Sequence, residues 1–127
     1  MRHLLSVMLV IVGIIHLLPL SGVAGDEQLR KLYGLSFTEP NLSILMRHRA
    51  ALFGLLGALV VYAAFRPAMQ PVALIAGFVS VVSFIWLAWL TGGYNAQIAR
   101  VVVADIVALV CLLIAAGVWL YAAFRSQ

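Results

Sequence analysis

Charge is what this chain has least of. Between Arg66 and Arg100 there is no charged side chain, and after Asp105 there is none before Arg125. Only 9% of the 127 residues are charged and 65% are hydrophobic, whereas a soluble domain carries roughly a quarter charged residues. A water-soluble fold cannot hide that much uninterrupted apolar chain, so the composition excludes a soluble domain and predicts an integral membrane protein. Cysteine is nearly absent too. Cys111 stands alone within an apolar run, which excludes a disulfide framework and a cysteine-based metal motif and leaves it to act as a small buried hydrophobe. Also missing are a Walker loop, a nucleophile elbow, a zinc signature and an H-x-G-H nucleotidyl-transfer motif. Nucleotide-dependent catalysis is thereby excluded, and no residue is assigned a catalytic role. The formal charge of +4 does not point to nucleic acid, because no basic stripe interleaved with aromatics exists. Arginines beside apolar runs mark membrane interfaces and orientation instead.

What is present is apolar sequence in span-sized pieces. About 20 apolar residues at 1.5 Å each cross roughly 30 Å of hydrocarbon. The sequence predicts four such helices, over about 4–20, 42–65, 72–91 and 98–123. Pro19 and Ser21-Gly22 end the first, "RPAMQP" stops the second and Thr91-Gly92-Gly93 ends the third. Short links between the later helices imply antiparallel neighbours. The expected fold is all-α: one transmembrane domain over 1–127, an up-down bundle of four helices. The first segment resembles a secretory signal peptide, with a basic start and small residues before Asp26. Its apolar core of 17 residues is longer than the 7–15 of a signal peptide, and its loss would remove one wall of the polar cluster described next. It is therefore expected to stay as a helix. In the long first loop, "GDEQLRKLYG" predicts a short amphipathic helix, acidic at its start, basic later and closed by Gly34. Leu29, Leu32 and Tyr33 form its apolar side, which lies on the membrane surface or caps the bundle. Asn41 is the expected cap of the second span.

In an up-down bundle, the end of helix one, the start of helix two, the end of helix three and the start of helix four share one membrane face. His16, Arg47, His48, Arg49, Tyr94, Asn95, Arg100 and Asp105 all fall near that face. The opposite face holds only Arg2, His3, Arg66, Gln70 and Arg125. Helical phase puts Arg47 on a face with Ala50, Ala51, Gly54 and Ala58, and small residues mark helix contact in membranes. Arg49 shares its face with Leu52, Phe53, Leu56 and Val60, a bulky strip suited to lipid. Arg47 is thus expected inside and Arg49 at the headgroups, with His48 between. A carboxylate within a bilayer costs at least about 2.5–3.5 kcal/mol on insertion scales, so Asp105 needs a partner. Arg47 is the expected one, with Arg100 in reserve. Ala76, Gly77, Ser80 and Ser83 form the small, polar-tolerant face of the third span.

Two functions fit this cluster. In the first, the cations outnumber Asp105 unless Glu39 closes the balance from the loop. A positive pocket then binds a small anionic or carbonyl-bearing amphiphile (lipid, fatty acid or quinone), lined by His16, Arg47, His48, Tyr94, Asn95, Arg100 and Asp105. In the second, Arg47 and Asp105 only lock the helices, and the chain is a structural or accessory subunit that self-associates or supports a larger membrane complex. A third use of the histidines is bis-histidine haem, or a metal with Asp105, although His48 is half turned away. A lone histidine on an apolar helix is more often structural, bonded here to Tyr94, Asn95 or a serine.

With the four spans, "LYG" at 32–34, the stretch from Pro40 through "LMRHRAALFGLLG" and "RVVVAD" at 100–105 in view, the chain resembles small bacterial four-helix membrane proteins of the DoxX-like type, in a short uncharacterised branch. That resemblance implies a bundle in the inner membrane and little about activity. Some DoxX-like proteins are linked to quinone or thiol redox systems. A single buried cysteine does not carry a thiol-disulfide role over, and quinone contact stays open. The termini are expected in the cytoplasm, because arginines assigned to a polar site are poor reporters of orientation.

Overall fold

A computed structural model describes residues 2–36 and 39–125 of the chain. Its elements are α1 (Arg2–Leu17), a 3-10 segment (Leu18–Ala24), α2 (Asp26–Tyr33), α3 (Pro40–Ala64), a 3-10 turn (Pro67–Met69), α4 (Gln70–Thr91) and α5 (Ala96–Arg125). Four stretches are long and apolar enough to cross a membrane: His3–Ala24, Pro40–Ala64, Pro67–Thr91 and Ala96–Arg125. The fold is the all-α bundle that the apolar runs predict. α3 packs on α1 and α4, and α5 packs on the same two. The four spans therefore stand in chain order around the axis, with α1 opposite α4 and α3 opposite α5.

Each end of these helices has a local cause. Pro19 has no N–H for the carbonyl one turn back, so α1 stops at Leu17, earlier than the sequence suggested, and the chain tightens into a 3-10 segment. The segment still completes the span. α3 begins two residues before the expected start, and Asn41 is not its cap. Glu39 is: its carboxylate accepts the backbone N–H of Asn41 at 3.1 Å and of Leu42 at 2.9 Å, while Pro40 occupies the first turn. Those bonds, the Asn41 N–H foremost, hold the Glu39 carboxyl below the usual carboxylate range. Glu39 is thus turned into its own helix and does not close the charge balance of the cluster. α2 ends as expected at Gly34, whose φ of 69° is a left-handed cap that favours glycine.

α2 caps the bundle. Leu29 and Tyr33 are buried against Leu32, Met46, Ile98 and Val101, so this helix rests on the ends of α3 and α5. The main core runs down the axis through Leu9 and Val12 of α1, Val60 of α3, Val81 of α4 and Leu112 of α5. α1 and α3 come closest where glycine meets glycine. A Cβ built on Gly57 would stand 2.8 Å from the carbonyl oxygen of Gly13, and one on Gly13 would collide with Val61. Nothing flexible can yield there, since the obstacle at Gly57 is backbone. Gly57→Val is expected to cost about 1–3 kcal/mol through overpacking, read as a lower Tm in mild detergent. Gly117→Ala, with nothing within 4 Å of the added Cβ, is the control and should hold or raise Tm. An unchanged Tm in Gly57→Val would mean that α1 and α3 are not in close contact at this level.

Candidate functional site

The polar groups do gather at one end of the bundle, though not with the partners that phase alone suggested. Arg49 lies nine residues into α3 and Asp105 nine residues into α5, each about 13 Å along its helix. They sit on the two helices that face each other across the axis, and both line one space. Between them is a cavity of about 260 Å³. Its polar lining is His16, Lys31, Tyr33, Arg49, Gln97, Arg100 and Asp105, and Phe53, Leu18 and Val101 are among its apolar walls. α2 forms its roof through Lys31, Leu32 and Tyr33.

Arg49, expected among lipid headgroups, is the arginine inside. Its guanidinium donates to the Tyr33 hydroxyl at 2.8 Å and lies 4.4 Å from the centroid of Phe53, with Tyr33 and Phe84 at 5.6 and 5.9 Å. Three rings thus surround one cation, a setting that favours guanidinium over ammonium. Arg49 is also the cation that acts electrostatically on Asp105. Arg47, expected inside as the partner of Asp105, is exposed. Its Nε donates to the Val23 carbonyl at 3.0 Å and ties the 3-10 segment to α3.

The physical reason for the reversal lies in what small residues report. Ala50 and Gly54 are buried because α3 presses there on the chain leading out of α1: Gly22 sits against Ala50, and Leu20 against Gly54. Close backbones leave no room for an arginine. The bulky strip of Arg49, Phe53, Leu56 and Val60 faces the axis instead, with Val60 fully buried and Phe53 half-buried. Small residues locate helix contact; a cavity needs the longer side chains that bridge a gap.

His16 forms the floor. It is 2% exposed, and its Nδ1 faces the Val12 carbonyl at 2.9 Å. A carbonyl only accepts, so Nδ1 carries the hydrogen, and Nε2 shares a hydrogen bond with the Ser80 hydroxyl at 3.0 Å. That bond joins α1 to α4 across the other diagonal of the bundle. The ring also stacks on Phe53, with centroids 5.7 Å apart. The serine partner is one of the three that the sequence offered.

The remaining candidates divide. Arg100 is on the cavity rim, exposed at one side. Asn95 is a structural clamp outside the cavity: its side-chain oxygen caps α5 by accepting the Ile98 N–H at 2.8 Å, and its amide donates to the Tyr33 carbonyl at 2.7 Å. Tyr94 is 45% exposed and belongs to a neighbouring apolar groove of about 410 Å³ that shares Tyr33 and Arg49 with the cavity. His48 is exposed on the outside of α3, so the two histidines do not aim at a common centre and bis-histidine haem has no geometry here. No group of three metal-ligating side chains exists among the described residues. Phase reasoning missed Lys31, Tyr33, Arg49, Phe53 and Gln97; only the placement of α2 over the bundle could have brought Lys31 and Tyr33 in.

Asp105 is 9% exposed. Among the described residues no donor hydrogen-bonds its carboxylate, and no buried side-chain nitrogen or oxygen is enclosed without a partner. Its oxygens therefore open onto the cavity that it lines. Compared with protein-family models, curated proteins and solved structures, the chain matches none.

Proposed function

We propose that this chain is a bacterial inner-membrane protein of DoxX-like type that binds a small amphiphile by its polar head in the cavity beneath α2. The observation that supports this is the lining itself. Lys31, Arg49 and Arg100 face a space that contains one carboxylate, Asp105, and the walls between them are apolar. Such a mix of apolar surface and a few converging polar groups is the usual character of a ligand site. A head group with an oxygen anion or carbonyl finds donors on three sides, and Arg49 needs no rearrangement because Tyr33 and Phe53 already hold it. The volume suits a head group, not a whole lipid. The chain of the amphiphile leaves along the groove lined by Met46, Phe84, Leu87 and Ile98, which adjoins the cavity at Arg49. A chain whose polar cluster only locked helices would be expected to pair Asp105 directly; here the carboxylate is left open to the cavity.

The cations of the cavity are poor topology markers, since they serve the ligand. Setting aside Lys31, Arg49 and Arg100 leaves Arg30 and Arg47 on the long-loop side against Arg2, Arg66 and Arg125 on the other. The more positive side faces the cytoplasm, and this excess supports a cytoplasmic location for both termini.

Purification in mild detergent, followed by mass spectrometry of extracted small molecules, tests the site. Wild type and His48→Leu are expected to retain a stoichiometric amphiphile, and Arg49→Leu to lose at least about tenfold of it, the loss that a charge-assisted hydrogen bond carries. Equal retention in all three variants would sink the cavity as the binding site. For orientation, cysteines introduced at Ser36 and Ser126 separate the faces: an impermeant thiol reagent applied to whole cells should label Ser36→Cys and spare Ser126→Cys. The opposite pattern would invert the topology.

A further inference from the structure

The unpaired Asp105 restricts the ligand further. We infer that the cavity selects a zwitterionic head group, an anion joined to a primary ammonium as in a phosphoethanolamine amphiphile, with the ammonium on Asp105 and the anion among Arg49, Arg100 and Lys31. This rests on the amphiphile site proposed above and specifies which head it takes.

Two facts carry it. Asp105 is nine-tenths buried, lines the cavity and accepts no hydrogen bond among the described residues. A carboxylate with open lone pairs beside low-dielectric walls attracts a donor, and an ammonium supplies a charge and three N–H groups. A simple anion, such as a fatty acid, would satisfy the arginines but add a negative charge beside Asp105. The zwitterion satisfies both walls at once, because Arg49 of α3 and Asp105 of α5 line the same cavity.

The order of groups along the cavity agrees. The end of a phosphoethanolamine head is its ammonium, followed by the phosphate and then the acyl chain. Asp105 lies in the cavity alone, while Arg49 belongs both to the cavity and to the adjoining apolar groove. A head entering from that groove therefore brings its ammonium to Asp105, leaves its phosphate beside Arg49 and keeps its chain among Phe84, Leu87 and Ile98. A quaternary ammonium has no N–H for Asp105, and the rings that would hold it by cation–π attraction already surround Arg49. The primary amine is thus preferred to choline.

Delipidated protein in a non-ionic detergent, titrated with single-chain probes and read by native mass spectrometry, tests this directly. The probes are lysophosphatidylethanolamine, lysophosphatidylglycerol, lysophosphatidylcholine, laurate and free phosphoethanolamine. Wild type is expected to hold the ethanolamine lipid about tenfold more tightly than the glycerol lipid or laurate. Asp105→Asn should erase that preference and leave the glycerol lipid bound as well as before or better. Free phosphoethanolamine should bind far more weakly than its lipid; equal binding would assign the site to a soluble zwitterion and remove the groove from the account. Should wild type prefer laurate or the glycerol lipid, the zwitterion is overturned while the amphiphile site stands. Binding of no probe at all overturns both. Because this ranking is made on wild type, a failure of Asp105→Asn to fold leaves the test intact.

Discussion

Asp105 and Arg49 bring opposite charges to one cavity from helices that face each other across the bundle axis, and the space between them is held open by protein that neither residue supplies. Within a bilayer each charge alone is costly, by at least about 2.5–3.5 kcal/mol on insertion scales. Attraction across the axis offsets part of that cost, and it is stronger here than at a water-exposed surface because the walls are apolar. Collapse of the two helices onto each other would bring a direct ion pair. It does not happen, because α1 and α4 stand between them and are themselves joined by His16 and Ser80 at 3.0 Å. One diagonal of the bundle is bridged by a hydrogen bond, and the other is left as a gap with charge on both sides.

The rest of the architecture keeps that gap in place. Pro19 converts the end of α1 into a tighter segment, Arg47 ties that segment to α3 through the Val23 carbonyl, and Gly22 allows Leu29 of α2 to sit close above it. At the far side of the roof, Asn95 joins the end of α2 to the start of α5 by capping one and donating to the other. α2 is therefore fastened at both ends. It presents Tyr33 to Arg49 from above while Phe53 supports the guanidinium from its own helix. Residues that seemed candidates for ligand contact, Arg47 and Asn95, hold the residues that line the cavity.

The four spans, the short second helix with its glycine cap and the gathering of polar residues at one end were legible in the sequence. Each rests on a local signal: an apolar run of sufficient length, a turn pair, or the alternation of direction in an up-down bundle. The choice between Arg47 and Arg49 was not legible, and the cause is general. Two residues apart on a helix is a large rotation, and the inner face can be chosen only when the neighbours are known. Ala50 and Gly54 did mark an interface, but it was the one with the chain leaving α1, not the one around the cavity. Lys31 and Tyr33 were hidden for a related reason. Their place in the lining depends on α2 folding back over the bundle, which no periodicity within α2 encodes.

The most direct measurement of the central claim is a double-mutant cycle between the two charges. Stability in mild detergent would be determined for wild type, Arg49→Leu, Asp105→Asn and the combined variant. Charges that face each other across the cavity predict a coupling energy of about 0.5–3 kcal/mol, with the combined variant more stable than the sum of the single losses implies. Additivity within about 0.3–0.5 kcal/mol would show that the two groups do not sense each other, and the site built on their opposition would have no basis.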